Sequence, residues 1–200
     1  MYASPVVWVS PGATIYGPDD AYSSNPPATT GMKVEILDSD HTWNNACMTR
    51  TNKLRADHAW VWKSFLRGYN PIYMDPLDLS KPNGVMEYAK DNTYAIVSAR
   101  PAMGHTHAYA AEVDLAAMTP RGDLVTTQYC LANPGKEYLI YLPEDGKVTV
   151  DLSAVKTPMA VEWFNPRTAK KQAGDKVDGG AKRVFQTPFD GDAVLYLRGE

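Results

Sequence analysis

The stretch 59–76 constrains the fold most, because it has the pattern of a helix that turns directly into a strand. Bulky apolar residues in its first half have an irregular spacing that fits a wide helix face better than a strand. Gly68 follows at the position where glycine commonly ends a helix. The pattern therefore predicts a helix at about 59–67 and a buried strand at 72–74, with Asp75 at the carboxyl end of that strand.

A second strand is predicted earlier, at Lys33–Leu37, where β-prone residues alternate with charged ones. It ends in a polar cluster that contains Asp38, Asp40 and His41 and is followed by Trp43. A helix that leads into a buried strand is typical of α/β sheets and barrels, whose chemistry lies at the carboxyl ends of the strands. These residues are therefore candidate site residues.

The remainder of the first part is less regular. Residues 1–31 are interrupted by prolines and glycines every few positions, which predicts an irregular segment. Ser98–Met118 has a helical period, with Pro101 in its first turn and Pro120 beyond its end. The sequence predicts one helix over 98–118.

From Thr126 onward the pattern changes to short strands separated by turns, which is typical of a small antiparallel β-sandwich. Glu144–Lys147 joins two alternating runs and predicts a hairpin. We place the domain boundary between residues 124 and 125. The predicted strands are Thr127–Ala132, Glu137–Leu142, Lys147–Leu152, Ala160–Phe164, Arg183–Thr187 and Ala193–Leu197.

Composition argues against several classes of function. The formal net charge of −3 gives no electrostatic case for binding nucleic acid or an anionic membrane. No apolar run is long enough to span a bilayer, and the N-terminus has no basic region of the kind that begins a signal peptide. We expect neither a nucleic-acid partner nor a membrane.

Metal and cofactor chemistry are not predicted. Cys47 and Cys130 are far apart and belong to no CxxC motif, so free thiols are favoured over a disulfide. His105 and His107 are two positions apart and would point to different faces of a helix. No phosphate-binding glycine loop or GxSxG serine is present, and we expect no cofactor.

Several segments together resemble bacterial apiosidase-like glycoside hydrolases. The likeness in the first part lies in Asp38–Trp43, Trp60–Gly68, Asn70–Asp75, Arg100 and Met103-Gly104. The second part resembles the domain named collagen-binding that ends many of these proteins. That likeness lies in Tyr138–Pro143, Trp163–Thr168 and Phe189–Asp192.

The resemblance implies a (β/α)8 barrel followed by a β-sandwich. Such a barrel takes about 250 residues, and residues 1–124 are too few for one. The expected fold class is therefore α+β: the last strands and helices of a barrel in 1–124, and a small antiparallel sandwich in 125–200. Expected partners are a glycan, together with either the missing barrel portion or a second copy. The family is typically exported.

The resemblance also implies a carboxylate nucleophile near the seventh barrel strand, which Asp38 or Asp40 would supply. Alternatively, both acids make loop turns or cap a helix. His41 would orient a carboxylate or bind a sugar hydroxyl, or be a structural histidine, and Trp43 would stack on a sugar or pack the loop. Asp75 is either a substrate-binding residue or the cap of the following turn.

Two functions remain open at this stage. The first is part of a glycoside hydrolase with a sandwich as accessory domain. The second is a non-catalytic module that binds carbohydrate or protein. The sandwich aromatics leave the same choice open, because at strand spacing they are either core residues or a ligand surface. They are Tyr138, Tyr141, Trp163, Phe164 and Tyr196.

Overall fold

A computed structural model describes residues 3, 5–10, 25–39 and 57–199 of this chain. By contacts the chain divides into two compact units. The first is Met1–Phe65 with Tyr69–Thr106, and the second is Leu66–Gly68 with His107–Glu200. The domain division between residues 124 and 125 stays a prediction.

The first unit contains a three-stranded parallel sheet in the order β1-β2-β3. Its strands are β1 (Trp8–Val9), β2 (Val34–Asp38) and β3 (Tyr69–Ile72). Helix α1 (His58–Leu66) lies between β2 and β3 in the chain. The predicted strand at Lys33–Leu37 is confirmed within one residue. The buried strand predicted at 72–74 is wrong, because β3 already ends at Ile72 and the side chains of Ile72 and Met74 are 44% and 48% exposed.

Helix α1 confirms the helix predicted at about 59–67. The Asp57 side chain accepts a 2.9 Å hydrogen bond from the backbone N–H of Trp60 and so caps the first turn. Trp60 and Trp62 are both buried, which explains why the aromatic spacing signals a helix with a wide apolar face. Gly68 has a φ of +87°, a left-handed conformation that favours glycine after a helix end.

Helix α2 (Thr93–Glu112) begins five residues before the predicted helix at 98–118 and ends six residues before its end. A 3-10 helix, Glu87–Asn92, directly precedes it. Pro101 therefore lies inside the helix instead of in its first turn. The helix therefore begins before the start that Pro101 suggested, and it ends well before Pro120.

The second unit is built mainly from antiparallel strands. After the short β4 (Thr119–Pro120) and a 3-10 helix (Gly122–Leu124), seven strands follow. They are β5 (Cys130–Asn133), β6 (Glu137–Leu142), β7 (Lys147–Asp151), β8 (Met159–Asn165), β9 (Lys170–Val177), β10 (Lys182–Gln186) and β11 (Ala193–Gly199).

These strands form two sheets that enclose one apolar core. The larger sheet has the order β4-β5-β6-β11-β8-β9, and the smaller one pairs β10 with β7. Side chains from both sheets belong to one buried cluster, including Ile140, Val150, Trp163 and Leu195. The second unit is therefore β-sandwich-like, as the strand spacing predicted. Cys130 lies in this core as a free thiol, and burial raises its pKa, whereas Cys47 lies outside the described residues.

The hairpin predicted at Glu144–Lys147 is wrong. The turn exists, but β6 pairs with β5 and β11, while β7 pairs with β10 in the other sheet. The connection therefore crosses from one sheet to the other. Strand β9 was not predicted, because its sequence is polar and almost entirely exposed.

The predicted fold class, a partial (β/α)8 barrel before the sandwich, is also wrong. Most of the regular secondary structure in the described residues is strand, with α1 and α2 as the two α-helices. After α2 the chain enters β4, which pairs antiparallel with β5, so no further parallel strand follows in the described residues. The described part of the chain contains no barrel segment.

Candidate functional site

The predicted site residues that the structure describes are Asp38 and Asp75. Asp38 is the last residue of β2 and is exposed, and Asp75 follows β3 by three residues. Asp38 is in register with Ile72, so both acids follow the same end of the parallel sheet. Asp40, His41 and Trp43 lie outside the described residues, and their roles stay predictions.

Asp75 is engaged in a bidentate ion pair with Arg100. The Arg100 Nε donates to Asp75 Oδ2 at 2.8 Å, and Nη2 donates to Oδ1 at 2.9 Å. Nη2 also donates to the backbone oxygen of Gly84 at 2.7 Å. Hydrogen bonding to Asp75 raises the pKa of Arg100. The pair therefore links the segment after β3 to helix α2.

Tyr73 adds a protonated phenol to this region. Burial is the main cause that raises the pKa of Tyr73, and the Asp75 charge adds to it, while Arg100 acts in the opposite direction. The hydroxyl is consequently a neutral group at physiological pH. Among the described residues, no three His, Cys, Asp or Glu side chains are close enough to hold a metal ion.

A second polar cluster lies on the outer face of the six-stranded sheet, away from the sandwich core. Strand pairing brings its members together, because Glu162 on β8 is directly opposite both Tyr196 on β11 and Ala173 on β9. In the adjacent row, Ala160 on β8 is opposite Arg198 on β11. Directly opposed residues share one face of a sheet, so these five side chains form a compact group.

Glu162 is held in place by two donors. The Tyr109 hydroxyl donates to its Oε1 at 3.1 Å, and Lys171 Nζ lies 2.9 Å from the same oxygen. Lys171 also lies 3.1 Å from Oε2 of Glu112. Tyr109 itself is buried, and its ring meets those of Phe164 and Tyr196 edge to face. The carboxylate therefore has a defined orientation.

In a second glutamate, Glu137, both carboxylate oxygens accept a hydrogen bond from the protein. Its Oε1 accepts a short hydrogen bond from the Tyr196 hydroxyl, and its Oε2 accepts one of 3.1 Å from the backbone N–H of Asp114. Burial is the main cause that raises the pKa of Tyr196, with the hydrogen bond to Glu137 next. Both oxygens of Glu137 thus have protein partners, which gives this residue a structural role.

Beside these groups lies an open pocket of about 200 Å³ between β8, β9 and β11. Small residues at positions 160 and 173 leave the space, and Glu162 and Arg198 bring charges of opposite sign to it. The lining residues are Ala160, Val161, Glu162, Ala173, Tyr196 and Arg198.

Sequence analysis found one member of this pocket, Tyr196, and only as one of the aromatic residues with an open role. Glu162 and Arg198 were missed. The available signal for Glu162 was a charged residue alternating with the core residues Val161 and Trp163, and Arg198 likewise follows the core residue Leu197. Such a pattern marks an outward-facing position, but it does not say which strands lie alongside.

Residues 121–198 match a protein family described as "Putative collagen-binding domain of a collagenase". The match covers the sandwich strands and less than half of the chain. No curated protein matches the sequence. The second part of the chain is therefore similar to a collagen-binding domain family, as its motifs indicated.

Two solved structures resemble most of the chain. One, named "Glycoside hydrolase", is 14% identical, with a TM-score of 0.59 over 86% of this chain and 44% of its own. The other, a glycoside hydrolase family 5 structure from Bacteroides vulgatus ATCC 8482, is 15% identical, with a TM-score of 0.59 over 85% of this chain and 42% of its own. This chain spans less than half the length of either structure. The likeness concerns the fold.

No α-helix in the described residues is long and apolar enough to cross a membrane.

Proposed function

We propose that this chain is a binding module associated with a glycoside hydrolase, and that its ligand is carbohydrate. The supporting observation is that a sandwich similar to a binding-domain family occurs in a chain whose fold is shared with glycoside hydrolase structures. Asp75 is already paired with Arg100, which argues against a catalytic role for its carboxylate. A polar pocket on the sandwich offers a place for a ligand.

The finer proposal is that the parent enzyme is apiosidase-like. It rests on the sequence motifs, and the structure gives two of them physical roles. Trp60 and Trp62 in the first motif are buried side chains of α1. In the second motif, Asn165 accepts hydrogen bonds from the backbone N–H groups of Arg167 and Thr168 and so shapes the turn after β8.

The second candidate function is catalysis by the chain itself. Asp38 lies at the carboxyl end of a parallel strand, where α/β enzymes keep catalytic groups. In this proposal Asp38 and Asp40 are the carboxylates, and His41, Trp43 and Asp75 contact the sugar. A retaining glycosidase needs two carboxyl groups about 5 Å apart. Asp75 already forms an ion pair with Arg100 and is therefore less available to a sugar, so this candidate is the weaker of the two.

The test measures both binding and hydrolysis with the full chain. Calorimetry against a panel of plant and bacterial glycans, with soluble collagen as the protein ligand, is expected to detect glycan binding without hydrolysis. Hydrolysis that is lost in the Asp38→Asn, Asp40→Asn double variant, but kept in Asp145→Asn, would support the catalytic candidate instead. Binding of collagen alone, or of no panel member, would overturn the proposal.

A further inference from the structure

We propose that the pocket between β8, β9 and β11 binds one neutral sugar unit, with Glu162 and Arg198 holding its hydroxyl groups. This inference rests on the proposed function and assigns it a site. It places recognition on the outer face of the sandwich, on strands that carry neither Asp38 nor Asp75.

The first argument is the shape of the surface. Strand register brings residues 160, 162, 173, 196 and 198 together on one face of the sheet. Two of them are alanines, which stop at Cβ, while their neighbours on the same face are long. The resulting volume of about 200 Å³ is below the roughly 300–1,000 Å³ typical of sites for drug-sized ligands. A pocket of this size suits one small ring.

The second argument is the unused hydrogen-bonding capacity of Glu162. Tyr109 and Lys171 both approach Oε1, so that within the described chain Oε2 has no donor. A carboxylate is an acceptor with about four lone-pair sites, and these two contacts use only one of its oxygens. The same contacts fix the side chain in place, which lowers the entropy cost of binding a ligand.

The third argument is the state of Arg198. Its guanidinium lies 6.0 Å from the ring centroid of Tyr196, at the outer limit of a cation–π contact. Within the described residues it forms no salt bridge, whereas Arg100, Arg121 and Arg167 each pair with an aspartate. Arg198 thus brings several N–H donors to the rim of the pocket.

The combination of these two groups indicates the chemistry of the ligand. A sugar hydroxyl donates to a carboxylate and accepts from a guanidinium, so neighbouring hydroxyls satisfy Glu162 and Arg198 together. A uronate would gain from Arg198 but be repelled by Glu162, and an amino sugar would gain from Glu162 but be repelled by Arg198, whereas neutral hydroxyl groups gain from both. Tyr196 is only 3% exposed and cannot offer its face for stacking. Recognition is therefore by hydrogen bonds to a neutral sugar.

The experiment measures the affinity of variants for each glycan that binds the wild-type full chain. Glu162→Gln removes the charge, Arg198→Met removes the donors, and Ala173→Leu fills the space. Each is expected to weaken binding about tenfold or more, because each removes a hydrogen bond to a charged group or the room for the ring. The glycans affected are expected to be neutral.

The three control variants remove a carboxylate charge, remove a cation and introduce a leucine at positions outside the pocket. Glu144→Gln lies in the exposed turn between β6 and β7, and Lys182→Met removes an exposed cation from β10. Gln172→Leu lies next to Ala173 but opposite Trp163, which belongs to the core, so it faces the other side of β9. All three are expected to stay within about twofold of the wild-type affinity.

The outcomes separate this inference from the function on which it rests. If the wild type binds a glycan and the three pocket variants bind it as well as the controls do, the site is wrong while the proposed function stands. If only acidic or amino glycans bind, the proposal that the ligand is a neutral sugar is wrong. If the wild type binds no glycan, both proposals fail. Ala173→Leu changes an exposed residue, so the test does not depend on Glu162→Gln folding normally.

Discussion

The Nε atom of Arg167 donates a 2.7 Å hydrogen bond to Oδ1 of Asp192, whose side chain is completely buried. The Tyr141 hydroxyl donates to the other oxygen, Oδ2, at 3.0 Å. Arg167 belongs to the turn after β8, and Asp192 immediately precedes β11. The contact therefore ties a turn at one end of the sandwich to the start of its central strand.

Loss of this contact is expected to destabilise the sandwich. Arg167→Met removes the cation that pairs with the buried Asp192 carboxylate, and we expect the free energy of unfolding to fall by about 2 kcal/mol. The value is below the upper range for buried pairs because the Arg167 side chain is 53% exposed. Urea unfolding measures it. Arg198→Met is the control, and equal stability of the two variants would contradict the prediction.

Alkaline pH is expected to lower stability through buried tyrosines. Burial raises the pKa of Tyr73, Tyr109 and Tyr196 above the ordinary value of 10.0, with a nearby carboxylate adding to it in each case. Because the folded pKa exceeds the unfolded one, this stability is complete below pH 10.0 and is lost as the pH rises toward the folded pKa. Unfolding free energies measured at a series of alkaline pH values test whether stability falls as the pH rises.

Tyr109→Phe gives this pH dependence a residue-level test. The variant keeps the aromatic packing but removes the hydroxyl that donates a hydrogen bond to Glu162. We therefore expect the free energy of unfolding to fall by about 1 kcal/mol at neutral pH. It is also expected to show a shallower fall in stability above pH 10.0 than the wild type. Tyr94→Phe, at a side chain that is 72% exposed, is the control. Identical slopes in all three proteins would refute the assignment.

Two glycines are expected to respond in opposite directions to the same change. A Cβ at Gly179 would lie 2.3 Å from the backbone oxygen of Val155, so Gly179→Ala forces the backbone to move and is expected to cost about 2 kcal/mol or more. A Cβ at Gly104 meets nothing within 4 Å, and Gly104→Ala inside α2 is expected to add about 1 kcal/mol. Thermal unfolding of the two variants compares them, and a shift in the same direction would be inconsistent with this account.

The Asp75–Arg100 pair is expected to stabilise the first unit. Asp75→Asn removes the charge but keeps the shape, and we expect a loss of about 1 kcal/mol in unfolding free energy, since both side chains are about one quarter exposed. Asp145→Asn, in an exposed turn, supplies the same chemical change as a control. Chemical unfolding of the wild type and of both variants, at low and at high salt, measures the difference in stability. A variant as stable as wild type would show that the pair is not structural.

Local sequence patterns predicted those elements whose burial follows from their own residues. Helix α1 is one example, because its aromatic spacing and Gly68 mark both the buried face and the end of the helix. Strand β6 is another, and its predicted bounds, Glu137–Leu142, are the observed ones. In both cases the apolar residues of one segment suffice to define it, since nearly all of them are buried.

Elements whose structure depends on a neighbouring strand were missed or misplaced. Strand β9 carries polar, exposed side chains, and its hydrogen bonds to β8 leave no periodic signal in its own residues. The turn at Glu144–Lys147 has hairpin chemistry, but β11 takes the place beside β6 that a hairpin would give to β7. The barrel prediction failed for the same kind of reason, because β4 pairs with β5 after α2.

The sequence by itself determined that α1 is a helix and β6 a strand, where glycine ends α1, and that a sandwich follows the first part. Only the tertiary structure decided that Glu162, Ala173 and Arg198 meet beside Tyr196. These residues belong to three strands, and their proximity depends on strand order and register. A period of two tells which face a residue occupies, but pairing with distant strands tells which neighbours share that face.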